Sequence, residues 1–167
     1  LLVFNSFGQT VILTNEGRVD VGDQLQYWKD ETGKLTLEEI KLLELKKSHH
    51  TGAPNFGFDR AAYWFKIDVS NHSNDPHWLL EVTYSPLDHV DFYTQEAGGK
   101  RIHKISGDTY PISTRDLTHR NPNFRFDIAP QSRQTIYLQV QTISSVQVPI
   151  VLWRNSVFQE SNNTAQL

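Results

Sequence analysis

Apolar and polar residues alternate one by one through most of this chain, the pattern of β-strands whose two faces meet different surroundings. In YWFKIDV, Tyr63, Phe65, Ile67 and Val69 share one face while Trp64, Lys66 and Asp68 share the other. The same period places Trp78, Leu80, Val82 and Tyr84 together in HWLLEVTY, and Val90 with Phe92 in DHVDFY. It groups Phe124, Phe126 and Ile128 in FRFDI, and Ile136, Leu138 and Val140 in TIYLQVQT. VQVPIVLW adds Val146, Val148, Ile150 and Leu152, with Pro149 marking an edge strand or a bulge. Turn-forming clusters such as SNHSNDP, EAGGK and APQSRQ separate these runs. The pattern predicts an all-β fold, an antiparallel β-sandwich of about eight or more strands.

One segment breaks the alternation. In TLEEIKLLELKK, Thr36 and Glu39 have the spacing of a capping box, and Leu37, Ile40 and Leu43 form an apolar stripe. This predicts one short helix near Thr36 to Lys46, closing an end of the sandwich. The polar stretch QESNNTAQL predicts a tail over 159–167 leading onward from a single domain over 1–158.

Composition narrows the function. A chain of 167 residues suits one domain able to bury a core without cross-links. The net charge of −3 and the scattered Lys and Arg argue against nucleic acid as a partner. Cysteine is absent, which excludes a disulfide scaffold, thiol catalysis and Cys-type zinc sites. Methionine is absent too, so the chain is expected to be an excised piece, with any leader or membrane segment outside it. No apolar run approaches the roughly 20 residues needed to span a bilayer.

The sequence lacks G-x-S-x-G, H-E-x-x-H, a P-loop and G-x-G-x-x-G, so no enzyme is expected of this domain. Adjacent His49 and His50 would point to opposite faces of a strand and make a poor chelate. No cofactor is assigned; calcium, a hard ion, would need oxygen ligands from Asp-bearing loops, and no site is named for it. His89 and Asp91 share a strand face and read either as an acid–base pair or as the polar outer side of a core strand. Asp88 reads as a cap for backbone N–H groups, as a partner for an Arg, or as a ligand contact.

Trp64, Tyr93 and Tyr137 each alternate with core positions and so face away from the main core. Aromatic faces of this kind stack on the C–H faces of sugars; the alternative is a face covered by the helix or the N-terminal segment. In GDTYPISTRD, Gly107 allows a sharp turn, and Asp108 and Arg115 can stand on two limbs of one loop. They could face a polyol, or Arg115 could form an internal pair with an Asp such as Asp88. His119 follows as a further donor.

The order YWKDETGKLTLEEI, YWFKIDVSN, WLLEVTYSPLDHVDFYT, GDTYPISTRD and FRFDIAPQSRQTIYLQVQT…VPIVLW resembles the second extracellular sensor domain of bacterial seven-transmembrane receptors with diverse intracellular signalling modules. The residues that match are Trp64, Asn71, Leu87, Asp88, Val90, Tyr93, Gly107, Asp108, Pro111 and Arg115. The resemblance implies a jelly roll similar to carbohydrate-binding modules, placed in the periplasm ahead of a seven-helix region. A histidine kinase, diguanylate cyclase or phosphatase would follow in the cytoplasm, and calcium is implicated as a signal in one branch of the family. In a bacterial protein the sequon Asn71-His72-Ser73 carries no meaning. The expected function is therefore ligand sensing for a transmembrane receptor, with a glycan or other small polar ligand, the receptor's own membrane region and a second copy of the chain as partners. Trp64, Asp88, Tyr93, Asp108, Arg115 and His119 are expected to converge on the ligand. A carbohydrate-binding module of a secreted glycoside hydrolase, or a docking domain without small ligand, are the alternatives.

Overall fold

The computed structural model describes residues 9–48 and 51–165; His49 and His50 lie outside the described residues. The period-two runs become strands. In chain order the elements are β1 (Val11–Leu13), β2 (Arg18–Asp20), β3 (Gln26–Asp30), α1 (Leu37–Ile40), β4 (Lys46–Lys47) and β5 (Asn55–Phe58). There follow β6 (Ala62–Asn71), β7 (His77–Val82), β8 (His89–Gln95), β9 (Arg101–Ser106) and β10 (Asn123–Asp127). The chain continues with β11 (Arg133–Gln141), β12 (Ser145–Gln147), β13 (Ile150–Arg154) and α2 (Asn155–Ala165).

The larger sheet runs β4-β3-β6-β11-β8-β9, with β1 also on β6, and the smaller runs β10-β7-β13-β2. The chain crosses from one sheet to the other between β6 and β7, β7 and β8, β9 and β10, and β10 and β11, as in a jelly roll. Pairing is antiparallel except that β1 lies parallel to the end of β6, Val11 opposite Val69. The inner faces meet in one core containing Tyr63, Phe65, Ile67, Phe92, Phe124, Ile136 and Leu138. Phe92 and Phe124 stack across the sheets with centroids 5.0 Å apart, and each large side chain buried in this way contributes roughly 1.5–3 kcal/mol.

Several elements differ from the expectation. The capping box forms, Glu39 N–H donating to Thr36 Oγ1 at 3.3 Å and Thr36 N–H to Glu39 Oε2 at 2.8 Å. The helix is nevertheless a single turn and does not reach Lys46, because Lys46 and Lys47 pair with Tyr27 and Gln26 at the sheet edge. VQVPIVLW is not one strand: β12 pairs with β5, and beyond Pro149 β13 joins β7 and β2. The stretch expected as a polar tail from 159 lies mostly within α2. Phe158 anchors that helix, 3% exposed and edge-on to Trp153 at 5.6 Å. Helix α2 packs against β7, and Leu79 and Glu81, which alternation would leave outside, are buried.

Asn71 closes β6. Its amide donates to the carbonyls of Ile128 (2.8 Å) and Asp75 (2.9 Å) and accepts from the Ser73 N–H and hydroxyl (3.0 and 2.6 Å). With its hydrogen-bonding capacity used inside the fold, the residue serves the scaffold.

Candidate functional site

The outer face of the larger sheet forms the floor of a groove of about 1330 Å³. Its geometry follows from strand register. Lys66 on β6 stands opposite Tyr137 on β11, Tyr137 opposite Tyr93 on β8, and Tyr93 opposite His103 on β9. All four are off-core positions of their strands, so one row of side chains crosses four strands. Beside it, Trp64 pairs with Gln139 on one side of the row and Asp68 with Thr135 on the other.

Aromatic rings line this floor in sequence. Trp64 and Tyr93 stack with centroids 5.9 Å apart and planes 23° apart, and Tyr93 and His103 stack at 4.2 Å and 12°. Burial, together with the nearby charge of Asp91, pushes the Tyr93 phenol up to about 12, so it is a neutral hydroxyl across the physiological range. Tyr137 is raised for the same reason, burial first and then the charge of Asp68. Helix α1 makes the wall: Ile40 and the half-buried Leu35, Leu37 and Leu43 pack around Trp64. Glu38 on α1 meets Arg101 on β9 at 3.6 Å and Lys41 at 3.6 Å, linking the wall to the far strand.

Beneath the His103 end lies a buried carboxylate. Asp91 bonds His103 Nε2 at 2.7 Å through one oxygen and His89 Nε2 through the other. His89 Nδ1 in turn contacts the Tyr110 hydroxyl at 2.7 Å. Burial alone would push Asp91 up, but the bonds from His89 and His103 outweigh it and hold its pKa low. The bond to Asp91 raises His89, against the opposing effect of burial. Both Asp91 oxygens are thus engaged with imidazoles. Among the described residues, no group of three or more His, Asp or Glu side chains is arranged to hold a metal ion.

The six residues expected to converge are divided. Trp64 and Tyr93 line the groove; Asp88, Asp108, Arg115 and His119 do not. Trp64 is only 1% exposed, the covered alternative, and its indole N–H has no hydrogen-bond partner. Asp88 organises loops instead: its carboxylate accepts from Ile143 N–H and Thr142 Oγ1, both at 2.8 Å. Its carbonyl accepts from the Thr109 hydroxyl at 2.8 Å. Gly107 passes so close, at φ 138°, that a Cβ there would lie 2.1 Å from that carbonyl oxygen, which only glycine permits.

Arg115 forms no ion pair with Asp88 or Asp108. It donates through Nη1 to the carbonyls of His119 (2.6 Å) and Arg120, and through Nη2 to that of Gly107 (3.5 Å). Burial lowers its pKa, opposed by the charge of Asp108. His119 sits over the smaller sheet, 2.9 Å from buried Glu81 and 3.2 Å from Asn162 of α2. The GDTYPISTRD loop thus spends Arg115 on backbone carbonyls, and it meets the end of the aromatic row through Tyr110, whose hydroxyl bonds His89 of the His89–Asp91–His103 cluster.

Sequence reasoning did not single out Lys66, Arg101, His103, Arg133 or Gln139, all of which line the groove. Face parity with Trp64 was available for Lys66, but parity on one strand does not say which strands lie beside it.

The sequence profile of the family described as 7TMR-DISM extracellular 2 matches residues 22–154. The chain belongs to that family. Its members are extracellular domains of membrane receptors, which places this 7TMR-DISM domain outside the cytoplasm. No helix among the described residues is long and apolar enough to cross a membrane. The comparison with curated proteins gives no match. Among solved structures, the domain is similar to TmCBM61 in complex with β-1,4-galactotriose, at 14% identity and TM-score 0.46, covering 78% of this chain and 88% of that one. It is also similar to CBM35 from Cellvibrio japonicus Abf62, at 12% identity and TM-score 0.32, covering 62% and 73%. The aromatic row and the α1 wall both fall inside the family match.

Proposed function

We propose that this domain is the periplasmic ligand-sensing module of a bacterial signalling receptor of the histidine kinase or diguanylate cyclase type. In this reading it binds a glycan or a comparable small polar ligand in the groove of the larger sheet, without catalysis. The observation that supports this is the row Lys66–Tyr137–Tyr93–His103, in which aromatic rings stand beside the Lys66 ammonium, unpaired among the described residues, in one concavity. Sites for small polar ligands need that combination, an apolar platform with a few converging donors and acceptors. Sensing further requires that the ligand bind one receptor state more tightly than another. The groove wall is a separate short element that rests on Trp64 and meets β9 through an exposed ion pair, and a wall of that kind is suited to differ between two states.

The test is retention on an array of immobilised oligosaccharides, followed by titration calorimetry with each sugar retained. Tyr93→Ala and Tyr137→Ala should each weaken binding at least about tenfold, the scale of one lost stacking contact. Binding that survives both substitutions unchanged would place the ligand elsewhere. In the full receptor the same variants should uncouple output from added sugar.

A further inference from the structure

The polar groups of the groove are unevenly satisfied, and the imbalance has a sign. Its three acidic side chains have partners within the protein. Glu38 is held by Arg101 and Lys41. Glu96 accepts the Asp127 N–H at 2.7 Å, and Asp68 accepts the Thr135 hydroxyl at 2.8 Å. Lys66 and Arg133 line the same groove, and among the described residues neither has an ion-pair or side-chain hydrogen-bond partner. Counted by charge, Lys41, Lys66, Arg101 and Arg133 line the groove against Glu38, Asp68 and Glu96, an excess of one positive charge in a chain of net charge −3.

Register fixes how these two cations are arrayed. Lys66 stands opposite Tyr137, and Arg133 stands opposite Ser70, four residues further along β6. Four residues of strand span about 13 Å, longer than one pyranose ring. Midway on the same face lies Asp68, opposite Thr135. One of its oxygens is held by the Thr135 hydroxyl, which leaves the other to accept from a ligand hydroxyl. The order along the floor is thus cation, carboxylate, cation, with Tyr137 and then Tyr93 beside the Lys66 end.

We infer that the groove selects acidic oligosaccharides, chains of carboxylate-bearing sugars, over neutral ones. This rests on the groove being a glycan site. Lys66 and Arg133 each pair with a carboxylate of the chain, Asp68 accepts a hydroxyl between them, and the aromatic rings take the sugar faces. Charge-assisted hydrogen bonds of this kind are roughly twice as strong as neutral ones, so they decide between ligands of equal shape. An Arg also offers a planar fork matched to a carboxylate.

The experiment compares oligogalacturonate with neutral oligogalactan of the same length by titration calorimetry on the purified domain. The expected result is at least tenfold tighter binding of the acidic chain, with the difference shrinking as salt is raised. Lys66→Gln and Arg133→Gln should each remove most of that difference, lowering the affinity for the acidic chain far more than that for the neutral one. Lys34→Gln, outside the groove, should change nothing. Equal affinity for the two sugars, or acidic binding indifferent to Lys66→Gln and Arg133→Gln, overturns the charge selection while Tyr93-dependent binding keeps the groove as the glycan site. Absence of binding by both sugars, with other sugars bound independently of Tyr93, overturns the glycan reading of the groove and this inference with it.

Discussion

At the scale of single residues, the sharpest contrast is between Arg115 and Lys66. Arg115 carries the chemistry of a ligand residue, yet its guanidinium is spent on the backbone carbonyls of Gly107, His119 and Arg120. Arg115→Ala leaves those carbonyls without their donor and should cost about 1.5–3 kcal/mol, the scale of hydrogen bonds to a charged group. Urea unfolding would measure that loss, and calorimetry should find sugar binding in the groove unaltered. Lys66 drew no notice in the sequence because a Lys on an outward strand face is ordinary. Only its position opposite Tyr137 makes it part of a site. The face each residue occupies was legible from alternation, and Trp64, Tyr93 and Tyr137 do share the outer side of one sheet. The company they keep was not legible, because partners across strands come from distant parts of the chain and register is set by the whole sandwich.

Among elements, the strands of the core were readable and the helices only in part. The capping box of Thr36 and Glu39 announced α1. Its length was overread, because the Leu-rich run continues past the last helical turn and tertiary pairing of Lys46 and Lys47 overrides helix propensity. Helix α2 gave no such signal: NSVFQESNNTA carries few apolar residues and no stripe. It is anchored chiefly by Phe158 beneath Trp153 and His119. Phe158→Ala should cost about 3 kcal/mol and weaken the near-ultraviolet circular dichroism of Trp153. The packing of α2 against β7, with His119, Asn121 and Trp153 bonded to Glu81, also explains why β7 is buried on both faces where alternation anticipates one.

For the molecule as a whole, the His89–Asp91–His103 cluster ties stability to pH. Asp91 titrates below its ordinary 3.8, because the bonds from its imidazoles outweigh burial. The stability it contributes is complete above that value and fades as pH falls through the lowered one. His89 titrates above its ordinary 6.5, chiefly through its bond to Asp91. Its contribution is complete below that value and fades as pH rises through the raised one. Thermal melting should therefore show a contribution from this cluster that is greatest between 3.8 and 6.5. In Asp91→Asn that part of the profile should flatten, with the melting temperature lowered most inside the same window.

The wall of the groove is one turn of helix, four residues from Leu37 to Ile40. A turn that short has no independent stability; nucleation costs more than its two closing bonds return. It persists because Ile40 and its neighbours rest on Trp64, whose indole N–H lies beneath them without an acceptor. This segment therefore opens at a lower free energy than the strands under it. Amide hydrogen exchange at Ile40 and Lys41, whose N–H groups donate to Thr36 and Leu37, should be among the fastest of the buried backbone bonds. A sugar in the groove that touches the wall should slow both, while the amides of β7 on the opposite sheet keep their rates. The domain would then register its ligand first as a local freezing of one helical turn.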